Sequence, residues 1–238
     1  MEIIAHRGAS GYAPENTLAS FIKAVEMGAK AIEFDVQMTK DEEIVVIHDY
    51  KLNRTTDGKG YIMNKTLEEI KRCDAGSWFS EAFMGEAVPL LTEVLEMIPK
   101  DITLHVEIKK AVFEKRAVEK KIVEILKSSN RLSQSVISSF DHYCIEQVHR
   151  EVQVKTGALI DAKIIKPVDY LISRGINNYS LNLGFEFVDA ALIEEAHNNG
   201  LKVLSYTVNE RSIAKMFEEM GVDGIFTNYP DIMSWDEP

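Results

Sequence analysis

Eight short β-rich runs, separated by longer stretches of helical period, constrain this chain more than any other feature. The runs are IIAH (3–6), AIEFDV (31–36), TLHVEIK (103–109), SVISSF (135–140), KTGALI (155–160), YSLNL (179–183), KVLSYTV (202–208) and GIFTN (224–228). Between them lie TLASFIKAVEMG, LLTEVLEMI, EKRAVEKKIVEILKSS, YCIEQVHREV, PVDYLISRG, DAALIEEAHNNG and RSIAKMFEEMG. Several of these stop at Gly28, Gly175, Gly200 or Gly221, as helix C-caps do. Strand-to-helix alternation implies βα units and a parallel sheet. Eight such units close as an α/β fold of the (β/α)8 TIM-barrel type, whose reactive groups sit where strands end at the C-terminal face. A chain of 238 residues fits one such barrel.

One segment breaks the rhythm. IVVIHD (44–49) follows the second run after only KDEE, too short for a parallel crossover, so it is expected to fold back antiparallel. With the turn centred near Asp41 and Glu42, opposed residue numbers sum to about 83, which sets Asp35 opposite His48. Residues 50–88 then lack βα periodicity. TTDGKG reads as turns, TLEEIKR as a short helix with a Thr66/Glu69 capping box, and GSWFSEAFMGEAVP as an irregular aromatic loop. The expected organisation is a barrel of residues 1–49 and 89–238, with 50–88 as a small subdomain inserted after the hairpin and over the barrel mouth. A mere surface excursion is the alternative.

Composition narrows the partners. Hydrophobic residues at 45% and charged residues at 27% describe a soluble globular chain. A net charge of −11 repels nucleic acid and anionic bilayers, so an anionic ligand needs a locally positive site, and a small molecule is the expected partner. MEIIAHRG lacks the basic start and apolar core of a signal peptide, and no stretch is long enough for stable membrane insertion; a cytoplasmic protein is expected. Cys73 and Cys144 match no metal-ligand spacing and read as reduced, packed thiols.

Against that background, two carboxylates in the apolar run AIEFDVQM stand out. Strand side chains alternate, so Glu33 and Asp35 share the lumen face while Ile32, Phe34 and Val36 face the helices. In the third run Leu104, Val106 and Ile108 likewise face outward, leaving His105, Glu107 and Lys109 inside. Burying an unpaired carboxylate costs several kcal/mol, roughly, even after relaxation. Arg7 and Lys109 are the protein cations at hand, and they leave one net negative charge on the group. A divalent ion held by Glu33, Asp35 and Glu107 would reverse that sign and admit an anionic ester; all-oxygen ligation favours Mg²⁺ or Ca²⁺ over Zn²⁺. A structural salt-bridge cluster remains the alternative.

His6 ends the first run beside Arg7, and His48 ends the returning one, so both should reach the mouth. Two imidazoles titrating near neutrality can supply one acid and one base. Either could also be a satisfied core histidine. Arg7 offers a planar fork for phosphate oxygens, or an ordinary rim ion pair. His105 should lie one layer below Glu107 as a packing residue, His149 and His197 should be solvated, and His142 could have a minor site role.

AHRGASGYAPENT, EFD, VVIHD, LNRTTDGKG, HVEIK, VISSF, TVN and TNYP occur in that order between Ile3 and about Pro230. Together they resemble the glycerophosphodiester phosphodiesterase family. The resemblance implies a (β/α)8 barrel with a small insertion after His48, one divalent metal, and hydrolysis of glycerophosphodiesters to glycerol 3-phosphate and an alcohol. By motif, Glu33, Asp35 and Glu107 are similar to the family's metal ligands, His6 and His48 to its acid/base pair, and Arg7 and Lys109 to its phosphate-binding residues. Tyr206, in SYTVN, departs from the pattern: many relatives have Trp there, which bears on the substrate pocket beside the glycerol or head group. The resemblance also suggests attack by the glycerol 2-hydroxyl through a cyclic phosphate, beside direct attack by water.

Two other functions fit the fold class. A barrel lyase or aldolase acting on a sugar phosphate would want a neutral lysine at a strand end, and Lys109 sits among carboxylates. A non-catalytic phosphodiester-binding barrel would need Arg7 and the metal but not both histidines. No long amphipathic or basic helix suggests a membrane phospholipase, although GSWFSEAFMG could touch a surface.

Overall fold

The structure, a computed structural model, describes residues 1–174 and 179–235. Its strands are β1 (Glu2–His6), β2 (Ala31–Met38), β3 (Ile44–Val46), β4 (Thr103–Ile108), β5 (Ser135–Ser139), β6 (Lys155–Ile160), β7 (Ser180–Gly184), β8 (Lys202–Tyr206) and β9 (Gly224–Thr227). β1, β2 and β4 to β9 pair in parallel, each with the next, and β9 returns to β1. Eight strands therefore close a barrel, as the alternation of the sequence predicts. The helices are α1 (Leu18–Glu26), α2 (Leu67–Lys71), α3 (Leu91–Met97), α4 (Val118–Ser128), α5 (His142–Glu151), α6 (Pro167–Ser173), α7 (Ala190–Asn198) and α8 (Arg211–Met220). No helix among the described residues is long and apolar enough to cross a membrane.

Alternation of side chains along the strands builds two cores. Outward residues such as Ile32, Phe34, Val36, Leu104, Val106 and Ile108 pack under Phe21 and Ala24 of α1, Leu91 and Val94 of α3, and Ile122 of α4. Inward residues Ile4, Ala31, Leu204 and Phe226 plug the lumen beneath Tyr206. These apolar side chains fill part of the lumen beneath the site, together with His105. Gly28, Gly200 and Gly221 follow helix ends as expected; Gly175 lies outside the described residues.

Three expectations need correction. β3 does fold back antiparallel on β2, but Val36 pairs with Val46 and Met38 with Ile44, so Asp35 lies opposite Ile47 and not His48. The turn is one residue tighter than expected because Thr39 closes it: its N–H donates to Glu43 O at 2.9 Å and its hydroxyl accepts from Glu43 N at 3.0 Å. A one-residue slip turns every side chain of a strand over, and His48 consequently sits beyond the end of the ladder. Second, α4 begins at Val118 rather than at Glu114. Arg116 is held in the preceding loop by Glu114 and donates to Thr39 O at 2.6 Å, satisfying a carbonyl just past the end of β2. Third, His149 is half-buried and bonded to Thr156 Oγ1 at 2.7 Å, not solvated.

Segment 50–88 carries α2 with the Thr66/Glu69 capping box, and its Leu52, Ile62, Ile70, Ala75 and Val88 pack on Val45 and Ile47 in a cluster of their own. Val45 pairs with Gln37, so this cluster grows from the same face of the hairpin that carries Asp35. Cys144 is buried and Cys73 half-buried, and both are free thiols.

Candidate active site

β1, β2 and β4 deliver their inward residues to one mouth. Register sets the pairs: His6 lies opposite Glu33 across β1 and β2, and Asp35 opposite Glu107 across β2 and β4. One oxygen from each of Glu33, Asp35 and Glu107 lies within 4.8 Å of the others, and all three residues are buried.

Cations stabilise only part of this trio. Asp35 faces Arg7 Nε at 3.2 Å and Lys109 Nζ at 3.3 Å, and accepts from Asn16 Nδ2 at 2.8 Å. Burial opposes its charge, yet Lys109 and then Arg7 outweigh that, and the carboxyl stays well below its ordinary value. Glu107 is also paired with Lys109. Even so it is pushed up to about 7, by burial and then by the Asp35 charge. Glu33 is raised too, by burial and then by Asp35 and Glu107, although Arg7 N donates to it at 2.9 Å. Glu33 Oε1 accepts no hydrogen bond, and Asp35 Oδ1 and Glu107 Oε1 share the single ammonium of Lys109.

Three crowded carboxylate oxygens in a low-dielectric mouth, with one ammonium shared between two of them, fit a hard divalent ion. A salt-bridge cluster accounts for Asp35 but leaves Glu33 and Glu107 repelled. Ligation requires ionised carboxylates, so affinity for Mg²⁺ is expected to climb as pH rises through about 7, the value for Glu107. The slope should be about tenfold per pH unit for each proton released, with Glu33 adding its own where it is neutral, and then level off. Calorimetric titration of metal-stripped protein across this range measures it; a flat affinity would count against the ligand set.

Both histidines reach the same cavity, of about 130 Å³, which Arg7, Lys109, Phe140 and Tyr206 also line. His6 Nδ1 meets Asn228 Oδ1 at 2.7 Å, and His48 Nδ1 meets Asp49 Oδ1 at 2.7 Å. Both partners are acceptors, so each Nδ1 carries the proton and each Nε2 is left for proton exchange. His6 Nε2 stands 4.0 Å from Glu33. Its pKa is lowered to about 3, by burial and then by Arg7, and that of His48 is lowered chiefly by burial. Gln37, between the two strands' ladders, points Nε2 at the carbonyls of Ile47, His48 and Asp49 at 3.0, 3.0 and 2.7 Å, and so fixes the backbone that carries His48.

The loop after β1 turns sharply to aim Arg7 inward. Arg7 is left-handed at φ 57° and Gly8 follows at φ 81°. A Cβ on Gly8 would lie 2.5 Å from Ser20 Oγ and 2.7 Å from its backbone. Gly8→Ala is therefore expected to destabilise the fold by roughly 2 kcal/mol or more and to disorder the His6–Arg7 turn. Urea unfolding checks this; an unchanged midpoint would contradict it.

Tyr206 spends its hydroxyl on Ile160 O at 2.9 Å and offers the cavity its ring, edge-on to Phe140. His105 is buried below, its ring against Phe226. His142 is tied to Tyr170 and Leu159 O and does not line the cavity. His197 pairs with Asp223 at 2.8 Å. A wider concavity, of about 700 Å³, opens between Lys155 and Lys202 at the start of their strands and holds none of the site residues. Sequence pattern alone assigns no role to Asn16, Gln37, Asp49 or Asn228, which contact the groups above, nor to Glu15, which accepts from Arg7, and Arg54, which donates to Glu15 and Asp49. Five of them lie inside the ordered motifs, the one signal in the sequence that points to them.

Residues 6–232 match the Glycerophosphoryl diester phosphodiesterase family. A glycerophosphodiester phosphodiesterase of Caldanaerobacter subterraneus subsp. tengcongensis is 39% identical over 97% of this chain and 95% of its own length. One from Bacillus subtilis is 36% identical over 96% of this chain and 84% of its own. Among solved structures, an Oleispira antarctica phosphodiesterase in complex with the product sn-glycerol-3-phosphate superposes with a TM-score of 0.91 at 33% identity, covering 98% of this chain and 96% of that one. With the match spanning nearly the whole barrel, the chain belongs to the glycerophosphoryl diester phosphodiesterase family.

Proposed function

We propose that this protein hydrolyses glycerophosphodiesters to glycerol 3-phosphate and an alcohol, using one Mg²⁺ or Ca²⁺ held by Glu33, Asp35 and Glu107. The observation that carries the reading is the convergence, at one mouth, of three carboxylates, two cationic side chains and two imidazoles whose Nε2 atoms are free of the bonds that fix their rings. The Oleispira relative's complex with sn-glycerol-3-phosphate supports the substrate class.

When bound, the cation supplies charge neutralisation and polarisation at a phosphoryl oxygen. The chain's own groups do the rest. Arg7 and Lys109 offset the charge that grows on the phosphoryl oxygens. His6 and His48, each with a proton held on Nδ1, exchange protons at Nε2: the base enters neutral and takes a proton from the nucleophile, and the acid enters as imidazolium and gives its second proton, from Nε2, to the leaving alcohol. The nucleophile is water or the glycerol 2-hydroxyl. Phe140 and the Tyr206 ring wall the cavity. Segment 50–88, with its own small core, acts in this proposal as a subdomain bordering the mouth.

Lys109 argues against a Schiff-base lyase. Burial alone would lower its pKa, but Asp35 and Glu107 outweigh it and keep the ammonium charged. To test the proposal, glycerophosphocholine and glycerophosphoethanolamine are incubated with the protein and Mg²⁺ or Ca²⁺, and products are followed by phosphorus NMR. Equimolar glycerol 3-phosphate and alcohol are expected. Tight binding without product over hours would instead identify a phosphodiester-binding barrel.

A further inference from the structure

Arg54 lies in segment 50–88, outside the barrel strands, yet its guanidinium joins two carboxylates that each hold a different site residue. Nη1 and Nη2 donate to the two oxygens of Glu15, both at 2.8 Å. Nε and Nη2 donate to the two oxygens of Asp49 at 2.8 and 2.9 Å. Beyond Arg54, Glu15 accepts from Arg7 Nη1 at 2.9 Å, and Asp49 accepts from His48 Nδ1 at 2.7 Å. The chain Arg7–Glu15–Arg54–Asp49–His48 is thus continuous. Two parallel N–H···O pairs on each side make it a double fork, a geometry open to a planar guanidinium and closed to an ammonium.

We propose that Arg54 is a positioning residue for phosphodiester hydrolysis: by forking onto Glu15 and Asp49 together, it fixes the Arg7 guanidinium and the His48 imidazole at one separation and orientation. The inference rests on the roles given above to Arg7 and His48. Without Arg54, Glu15 has Arg7 as its one remaining cation and draws it away from the phosphate, while Asp49 keeps a single bond and lets the imidazole swing. Misplacing a reacting group by about 1 Å can cost on the order of 10²-fold in rate. Arg54 touches none of Glu33, Asp35 or Glu107 among its hydrogen bonds and ion pairs, so its loss reaches the cation site only through Arg7, whose backbone N–H stays on Glu33.

The test uses the full chain with glycerophosphocholine and saturating Mg²⁺. Arg54→Ala is expected to lower kcat/KM by about 10²-fold, with Mg²⁺ affinity within about twofold of wild type. Arg54→Lys should recover less than about tenfold of that loss, and added guanidinium should restore part of the Arg54→Ala rate. Added to Glu15→Ala and Asp49→Ala together, Arg54→Ala should change kcat/KM by less than about threefold, because the links are already cut. Wild-type kcat/KM in Arg54→Ala, full recovery by Arg54→Lys, or a loss that adds to those two substitutions would each overturn the inference. So would a loss that follows a fall in Tm and does not respond to guanidinium. Inactive wild-type protein would overturn the functional reading and this inference with it, whereas equal activity in wild type and Arg54→Ala overturns this inference alone.

Discussion

His48→Ala is expected to lower kcat by about 10² to 10⁴-fold while leaving the fold and the cation site in place. The side chain is about one-third exposed, and its one hydrogen bond is to the neighbouring Asp49, so truncation opens no cavity and strands no buried group. The segment that carries it stays anchored by Gln37, whose amide reaches three successive carbonyls of residues 47–49. The same truncation at His6 is a less clean test. That ring is bonded to Asn228 beneath the loop that aims Arg7, so stability and activity fall together. Steady-state kinetics beside a thermal melt distinguish the two variants. A His48→Ala protein within about tenfold of wild-type kcat would remove the imidazole from proton transfer.

The second large effect concerns stability, and it separates two carboxylates that look alike in the sequence. Asp35→Asn removes the negative charge facing both Arg7 and Lys109, at a residue with no solvent exposure of its own. Breaking a buried pair from one side typically costs about 3–5 kcal/mol. The lower end is expected here, since Arg7 keeps Glu15 and Lys109 keeps Glu107. Glu33→Gln should behave oppositely. Burial and two neighbouring carboxylates already push the Glu33 carboxyl toward its neutral form, so an amide costs the metal-free fold little. It should still weaken cation binding, because a charged ligand is lost. Urea unfolding in chelator, with each variant against wild type, reads the contrast. A collapse of stability in metal-free Glu33→Gln would favour a structural salt-bridge cluster instead.

Which features are legible in the sequence follows from which forces are periodic. The eight barrel strands show through because their outer faces must cover helices, and Ile32-Phe34-Val36 or Leu104-Val106-Ile108 repeat at the pleat's period of two. Charge in such a run is conspicuous, so the alternation of side chains is enough to bring Glu33, Asp35 and Glu107 together. The register of β3 is not legible, because it depends on one hydroxyl, Thr39, closing the turn a residue early. The start of α4 is hidden for a similar reason: Arg116 satisfies the carbonyl of Thr39 and so stays out of the helix. Asn16 on Asp35, Gln37 behind His48 and Arg54 between Glu15 and Asp49 are contacts made across loops or between distant residues. No local period announces them. They are found only by asking where each buried polar group finds its partner.

Metal titration tests the central claim most directly. Protein stripped with chelator and then titrated with Mg²⁺ or Ca²⁺ should bind one ion per chain, and turnover of glycerophosphocholine should return in step with occupancy. Hydrolysis that persists in chelator, or no ion bound even at millimolar supply, would contradict the account.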